Sequence, residues 1–162
     1  MTITSTAPIT LANVMNELRI VNPGRAYPIA LGDSDVRALA GIASGSISLG
    51  DLKGKSSYIP PSGVGINDSR SFTSGLGAGT ASCNPSVTPS GTGTPFSYVW
   101  SFTSNPNGCS LGGSTTQTPT VSKAFGSNTS GSANATLQVV ITDTSAATAT
   151  VGGITAHLDW AP

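Results

Sequence analysis

Apolar and polar residues alternate most regularly in the C-terminal half of the chain. At Phe96, Tyr98, Trp100 and Phe102, four of the nine aromatic residues fall on every second position. That is the repeat of a β-strand, so the four share one face. Large apolar side chains are scarce here, and a row of rings carries about 1.5–3 kcal/mol of burial energy per well-buried ring. The pattern predicts the central strand of a β-sandwich with these four residues in its core. Around it, Ala81, Cys83 and Val87, then Val121 and Phe125, then Ala133, Ala135, Leu137, Val139 and Ile141, and last Ile154, Ala156, Leu158 and Trp160 give further alternating runs. Turn residues separate them at Pro89-Ser90-Gly91, Asn105-Pro106-Asn107-Gly108 and Asp143 to Ser145. Five or more short strands with turns between them describe an antiparallel sandwich.

The N-terminal pattern is different. Ile9-Thr10-Leu11-Ala12-Asn13, Ile29-Ala30-Leu31-Gly32-Asp33 and Ile47-Ser48-Leu49-Gly50-Asp51 repeat one theme: an apolar pair followed by Asn or Asp. Each reads as a short strand running into a helix cap, which makes a β-turn-α unit. Leu11, Val14, Met15 and Leu18 form one helical face after the first copy. Val36, Leu39 and Ala40 follow the second, which Gly41 terminates. The third leaves about one turn before Gly54. Pieces this short are not expected to bury a core of their own. Their apolar pairs, Ile9, Leu11, Ile29, Leu31, Ile47 and Leu49, are therefore assigned to an assembly interface. Prolines 60 and 61 and glycines 63 and 65 read as a linker. The expected organisation is an attachment arm over residues 1–58, a Pro/Gly linker over 59–71 and a sandwich over 72–162.

Composition sharpens this picture. Only 9% of the 162 residues are charged, the formal net charge is zero, and the polarity comes from Ser, Thr, Gly and Asn. Disordered chains pair low hydrophobicity with high net charge, so this balance favours a turn-rich β protein. The seven basic residues are scattered, which argues against nucleic acid and anionic membranes as partners. The first fifteen residues hold no apolar signal core, and no apolar run is long enough to span a membrane.

Candidate chemistry is sparse. Gly54-Lys55-Ser56 has the end of a phosphate-binding loop, but Leu49 stands where its first glycine is required. Asp33-Ser34-Asp35 offers carboxylates to a hard cation, yet a helix start accounts for both acids. His157 is the one histidine and faces away from Leu158 and Trp160; no nucleophile is marked to accompany it. No catalytic, cofactor-binding or metal-binding residue is assigned, and the chain is expected not to be an enzyme. Three glycosylation-type triplets, at Asn67, Asn128 and Asn134, are what a chain rich in Ser, Thr and Asn yields without a signal peptide. Cys83 and Cys109 flank the aromatic strand. Two readings stay open: a disulfide closing a 26-residue separation, or two buried free thiols.

The run from Ile29 to Gly41, with Val36-Arg37-Ala38-Leu39-Ala40-Gly41 after Leu31-Gly32-Asp33, and the run from Ser46 to Ser56 resemble the N-terminal region of tailed-bacteriophage structural proteins of the tail or tail-fibre type. In those proteins the segment is commonly followed by an immunoglobulin-like module with a Tyr-x-Trp strand. Tyr98-Val99-Trp100 matches that strand, and Val140-Ile141-Thr142-Asp143 loosely matches a late strand ending Val-Thr-Asp. Cys109 departs from the antibody pattern, because it closely follows the Trp strand. The resemblance implies a mainly β chain, an immunoglobulin-like antiparallel β-sandwich preceded by an arm of short strand-helix units. It also implies a non-enzymatic virion subunit made in the bacterial cytoplasm, where disulfides are disfavoured. The implied partners are other virion subunits, including copies of itself. The alternatives are a capsid decoration protein, and a carbohydrate-binding or adhesive module with weak contact to cell-surface glycans.

Overall fold

A computed structural model describes residue 3 and residues 8–73 and 77–162. The chain is mainly β and divides into two compact units, one of residues 1–59 with 91–93, the other of 60–90 with 94–162.

The first unit is helical. Helix α1 (Leu11–Val21) starts one residue after Thr10, whose hydroxyl accepts from the Asn13 amide while Asn13 Oδ1 accepts from the Thr10 amide at 2.9 Å. Asn13, expected as the cap, is thus the reciprocal partner in a capping box. Helix α2 (Ser34–Ala40) follows Asp33 and ends at Gly41, whose φ of 77° lies in the left-handed region that glycine tolerates. A 3₁₀ turn (Leu49–Leu52) is capped by Ser48 and Asp51.

Two expectations fail here. None of the described residues of this unit forms a strand, because the apolar pairs enter their helices or turns without a neighbouring chain to pair with. The unit also has its own core: Ile3, Val14, Met15, Leu18, Ile29, Val36, Ala40 and Leu52 are buried together. Of the residues assigned to an assembly interface, Ile29 is buried in this core, and Ile9, Leu31, Ile47 and Leu49 pack against it. Only Leu11 is exposed. The three short elements pool their apolar faces, which none of them could bury alone.

Among the described residues, the second unit is a sandwich of nine strands: β1 (Ser62–Ile66), β2 (Asp68–Thr73), β3 (Gly79–Cys83), β4 (Ser86–Ser90), β5 (Ser97–Ser104), β6 (Ser110–Gly112), β7 (Thr120–Phe125), β8 (Gly131–Thr142) and β9 (Thr148–Ala161). One sheet runs β2-β9-β8-β5, a second β3-β7-β6, and β1 pairs with β4 as a ribbon. All pairings are antiparallel except β2 with β9. The core joins Ala81, Cys83 and Val121 of one sheet to Trp100 and the inward rows of β8 and β9.

The aromatic row does face this core, but β5 is an edge strand, and the centre belongs to β8 and β9. Trp100 is buried, whereas Phe96, Tyr98 and Phe102 are half-buried at the margin. Small and branched residues such as Ala133, Ala135 and Val139 let the sheets approach closely at the middle, and bulky rings fit better at the periphery. Trp100 Nε1 donates to the Thr116 carbonyl at 2.8 Å, which gives its polar edge a partner.

The segment expected as a linker, 59–71, contributes β1 and β2 to the sandwich. Its glycines serve packing. A Cβ on Gly63 would lie 2.6 Å from Ile141 Cδ1, and one on Gly65 would lie 2.4 Å from Ile154 Cγ1. Gly79 and Gly131 likewise make room for the stacked rings of Phe125 and Trp160, whose centroids are 5.7 Å apart. The alternation of Gly75, Gly77 and Gly79 reads as an irregular edge strand; Gly75 lies outside the described residues, and Gly79 opens β3.

Candidate functional site

The side chains with chemical potential fall into four groups. In the helical unit, Asp33 and Asp35 flank the start of α2 and both meet Arg25. Arg25 Nη2 donates to Asp33, and Arg25 Nε lies 2.7 Å from Asp35 Oδ2, off the axis of a hydrogen bond, so that contact is an ion pair. Asp33 also accepts from the Ala30 amide at 3.0 Å, and this bond, helped by Arg25, holds its carboxyl below the usual range. Burial opposes the charge on Arg25, but the two carboxylates outweigh it and raise its pKa. The acids are thus committed to a cation of the chain itself. Among the described residues, no group of three or more His, Cys, Asp or Glu is placed to hold a metal ion.

Glu17 is the second group, and the sequence reading passed over it. It is buried at 1% exposure on α1, beside Val14 and Leu18. Its carboxylate accepts from Ser56 Oγ and the Ser57 amide, both at 2.8 Å, and its main-chain carbonyl accepts from Ser57 Oγ. Its position three residues after Val14, on the apolar face, was the available signal. Ser56, considered as the end of a phosphate loop, is therefore a donor to a buried carboxylate.

His157 is the third. Its Nδ1 meets Asn134 Oδ1 at 2.5 Å, and its Nε2 meets Asp159 Oδ2 at 2.9 Å. Asn134 and Ser69 stand opposite it on β8 and β2. A histidine beside a carboxylate and a serine has the residue types of a hydrolytic triad, but here both ring nitrogens are engaged and neither is left to take a proton from Ser69. Among the described residues, cavities of about 350, 380 and 550 Å³ lie in the helical unit, and His157 lines none of these.

The cysteines are the fourth. Both are buried and free, so the bridge is not formed. β7 separates β3, which carries Cys83, from β6, which Cys109 precedes. Two strand spacings amount to about 9–10 Å, beyond the roughly 4.4–6.8 Å between Cα atoms that a disulfide spans. Burial, with a smaller contribution from Asp68, pushes the Cys83 thiol up to about 11, and burial also raises Cys109. Neither is an activated nucleophile.

No protein-family model, curated protein or solved structure matches the chain. Among the described residues, no helix is long and apolar enough to cross a membrane.

Proposed function

We propose that the chain is a non-enzymatic structural subunit of a tailed-bacteriophage virion, in the tail or adsorption apparatus. In this reading the helical unit attaches the subunit and an immunoglobulin-like sandwich is displayed. The observation that carries it is the use of the reactive side chains. His157, Asp33, Asp35, Cys83 and Cys109 are each engaged by or buried in the fold, which leaves surface and shape as the means of action.

The strand order supports the immunoglobulin-like part. β5-β8-β9 occupies the places of strands C, F and G, and β3-β7-β6 those of B, E and D, with Trp100 on the strand corresponding to C. The resemblance of residues 29–41 and 46–56 supports the phage assignment. Because the Ile-x-Leu pairs are largely spent on the unit's own core, attachment moves to its exposed apolar residues, Leu11, Val21, Tyr27 and Ile59.

Deleting residues 1–58 tests this directly. The expected result is a folded sandwich that no longer joins particles, and normal incorporation of the truncated chain would overturn the proposal. Particle images with the subunit labelled would separate the tail position from a capsid decoration. A second reading, an adhesive module for cell-surface glycans, is favoured by the outward polar rows Ser69-His157-Asn134 and Ser71-Asp159-Ser132. Saturable binding on a glycan array would select it.

A further inference from the structure

Asn107-Gly108 is the one Asn-Gly pair in the sequence, and it sits in the turn between β5 and β6, closed by the Gly108 amide on the Asn105 carbonyl at a long 3.3 Å. Two strands aim donors at it. The Asn134 amide of β8 donates to Asn107 Oδ1 at 3.0 Å, and Lys123 Nζ of β7 donates to the Asn107 main-chain carbonyl at 2.5 Å. A Cβ on Gly108 would lie 3.8 Å from the same ammonium. The Asn107 side chain is exposed, and no hydrogen bond of the described structure holds its Nδ2.

These contacts fall on the atoms that change in an amide's loss of ammonia. Lys123 polarises the peptide group whose nitrogen is the Gly108 nitrogen, which makes that N–H more acidic. Asn134 stands at the oxygen that becomes negative when that nitrogen attacks. We propose that Asn107 is a self-modifying site, which the native fold converts to aspartate and isoaspartate faster than the unfolded chain does. The Gly108 nitrogen gives its proton to solvent and bonds to Asn107 Cγ, and the electron pair of the C–O double bond moves to Oδ1. Collapse breaks the Cγ–Nδ2 bond, and Nδ2 leaves as ammonia after taking a proton from water. Water then opens the succinimide. Attack at Cγ gives aspartate, and attack at the main-chain carbonyl gives isoaspartate. The net change is one amide and one water to one acid and one ammonia. It places a carboxylate beside Lys123, in the turn that leads to Cys109.

A donor fixed in advance at a developing oxyanion is worth up to about 10²–10³ in rate. The Gly108 bond to Asn105 subtracts from this, so the expected acceleration is about tenfold. The purified full chain and a synthetic peptide spanning residues 103–112 are incubated side by side at mildly alkaline pH, and the conversion is followed by peptide mapping with mass spectrometry. The native chain should convert at Asn107 about tenfold faster than the peptide. Lys123→Met, confirmed folded by circular dichroism, should fall most of the way to the peptide rate. A native rate equal to or below that of the peptide would overturn the proposal, as would a folded Lys123→Met with an unchanged rate. If Lys123→Met does not fold, the wild-type comparison decides alone.

Discussion

Replacing Gly65 by alanine tests whether β1 is packed as a strand. In a free linker the substitution is close to neutral, because alanine then restricts the folded and the unfolded chain alike; only at an ordered position does that restriction stabilise, by about 0.4–1 kcal/mol. In the sandwich the new methyl would stand 2.4 Å from Ile154 Cγ1, 2.7 Å from Ile154 Cδ1 and 3.4 Å from Val151 Cγ1. Ile154 is buried, and the nearest clash is with the stem of its side chain, so it has nowhere to swing. Overpacking of this kind costs about 1–3 kcal/mol. The loss outweighs the entropic gain and should lower the Tm of the sandwich by about 4–8 °C per kcal/mol lost for a unit of this size. Gly152→Ala in β9 is the control, because nothing lies within 4 Å of its Cβ position. It should change stability by no more than about 0.5 kcal/mol. Thermal unfolding by circular dichroism measures both. In an Ile154→Ala background, Gly65→Ala should cost less than in the native chain, since the two sites share the clash. If Gly65→Ala is as stable as the native chain while Gly152→Ala is neutral, β1 does not lie on β9 as described, and residues 59–71 revert to a linker.

Three further outcomes follow from the same contacts. Glu17→Ala removes the carboxylate that accepts from the Ser56 hydroxyl and the Ser57 amide, at about 0.5–1.5 kcal/mol for each hydrogen bond lost, and limited proteolysis should cut near residues 56–59 earlier than in the native chain. Asp33 has a folded pKa below its ordinary 3.8, so its contribution is present above that value and fades as the pH falls through the folded pKa; acid unfolding of Asp33→Asn should show a shallower loss in that range, and an unchanged profile would remove the bond from the account. Cys83 stays protonated up to about 11 when folded against an ordinary 9.0, so its contribution is complete below pH 9 and is lost between 9 and about 11; the native chain should resist alkylation at neutral pH and react only on unfolding, and Cys83→Ala should flatten the alkaline limb of the stability profile.

Strand periodicity was legible in the residues themselves. Val121, the Ala133 to Ile141 row and the Ile154 to Leu158 row are buried where alternation put them, because a strand's two faces are set by a period of two whatever the strand pairs with. Gly41 as a helix stop was legible for the same local reason, since φ preference acts within a few residues; Asp33 does stand at the N-cap, but its carboxylate makes no capping bond and turns back to the Ala30 amide and Arg25. His157 also faces outward, as its parity required.

Tertiary structure decided what depends on partners distant in sequence. The aromatic row gave its face but not its place at the sheet edge, because which strand becomes central is fixed by pairing between β5, β8 and β9. Gly63 and Gly65 looked like flexibility; what they supply is the clearance for Ile141 and Ile154, some 80 to 90 residues further along. The Ile-x-Leu pairs looked unpartnered because each element is too short to bury them, and they found partners in one another. The donors around Asn107 and the clamp on Glu17 come from residues up to 40 positions away. The order of the residues showed that the basic ones are scattered along the chain; only the folded chain showed that its few reactive side chains are tied into the fold, because hydrogen bonds and ion pairs are decided by distance in space.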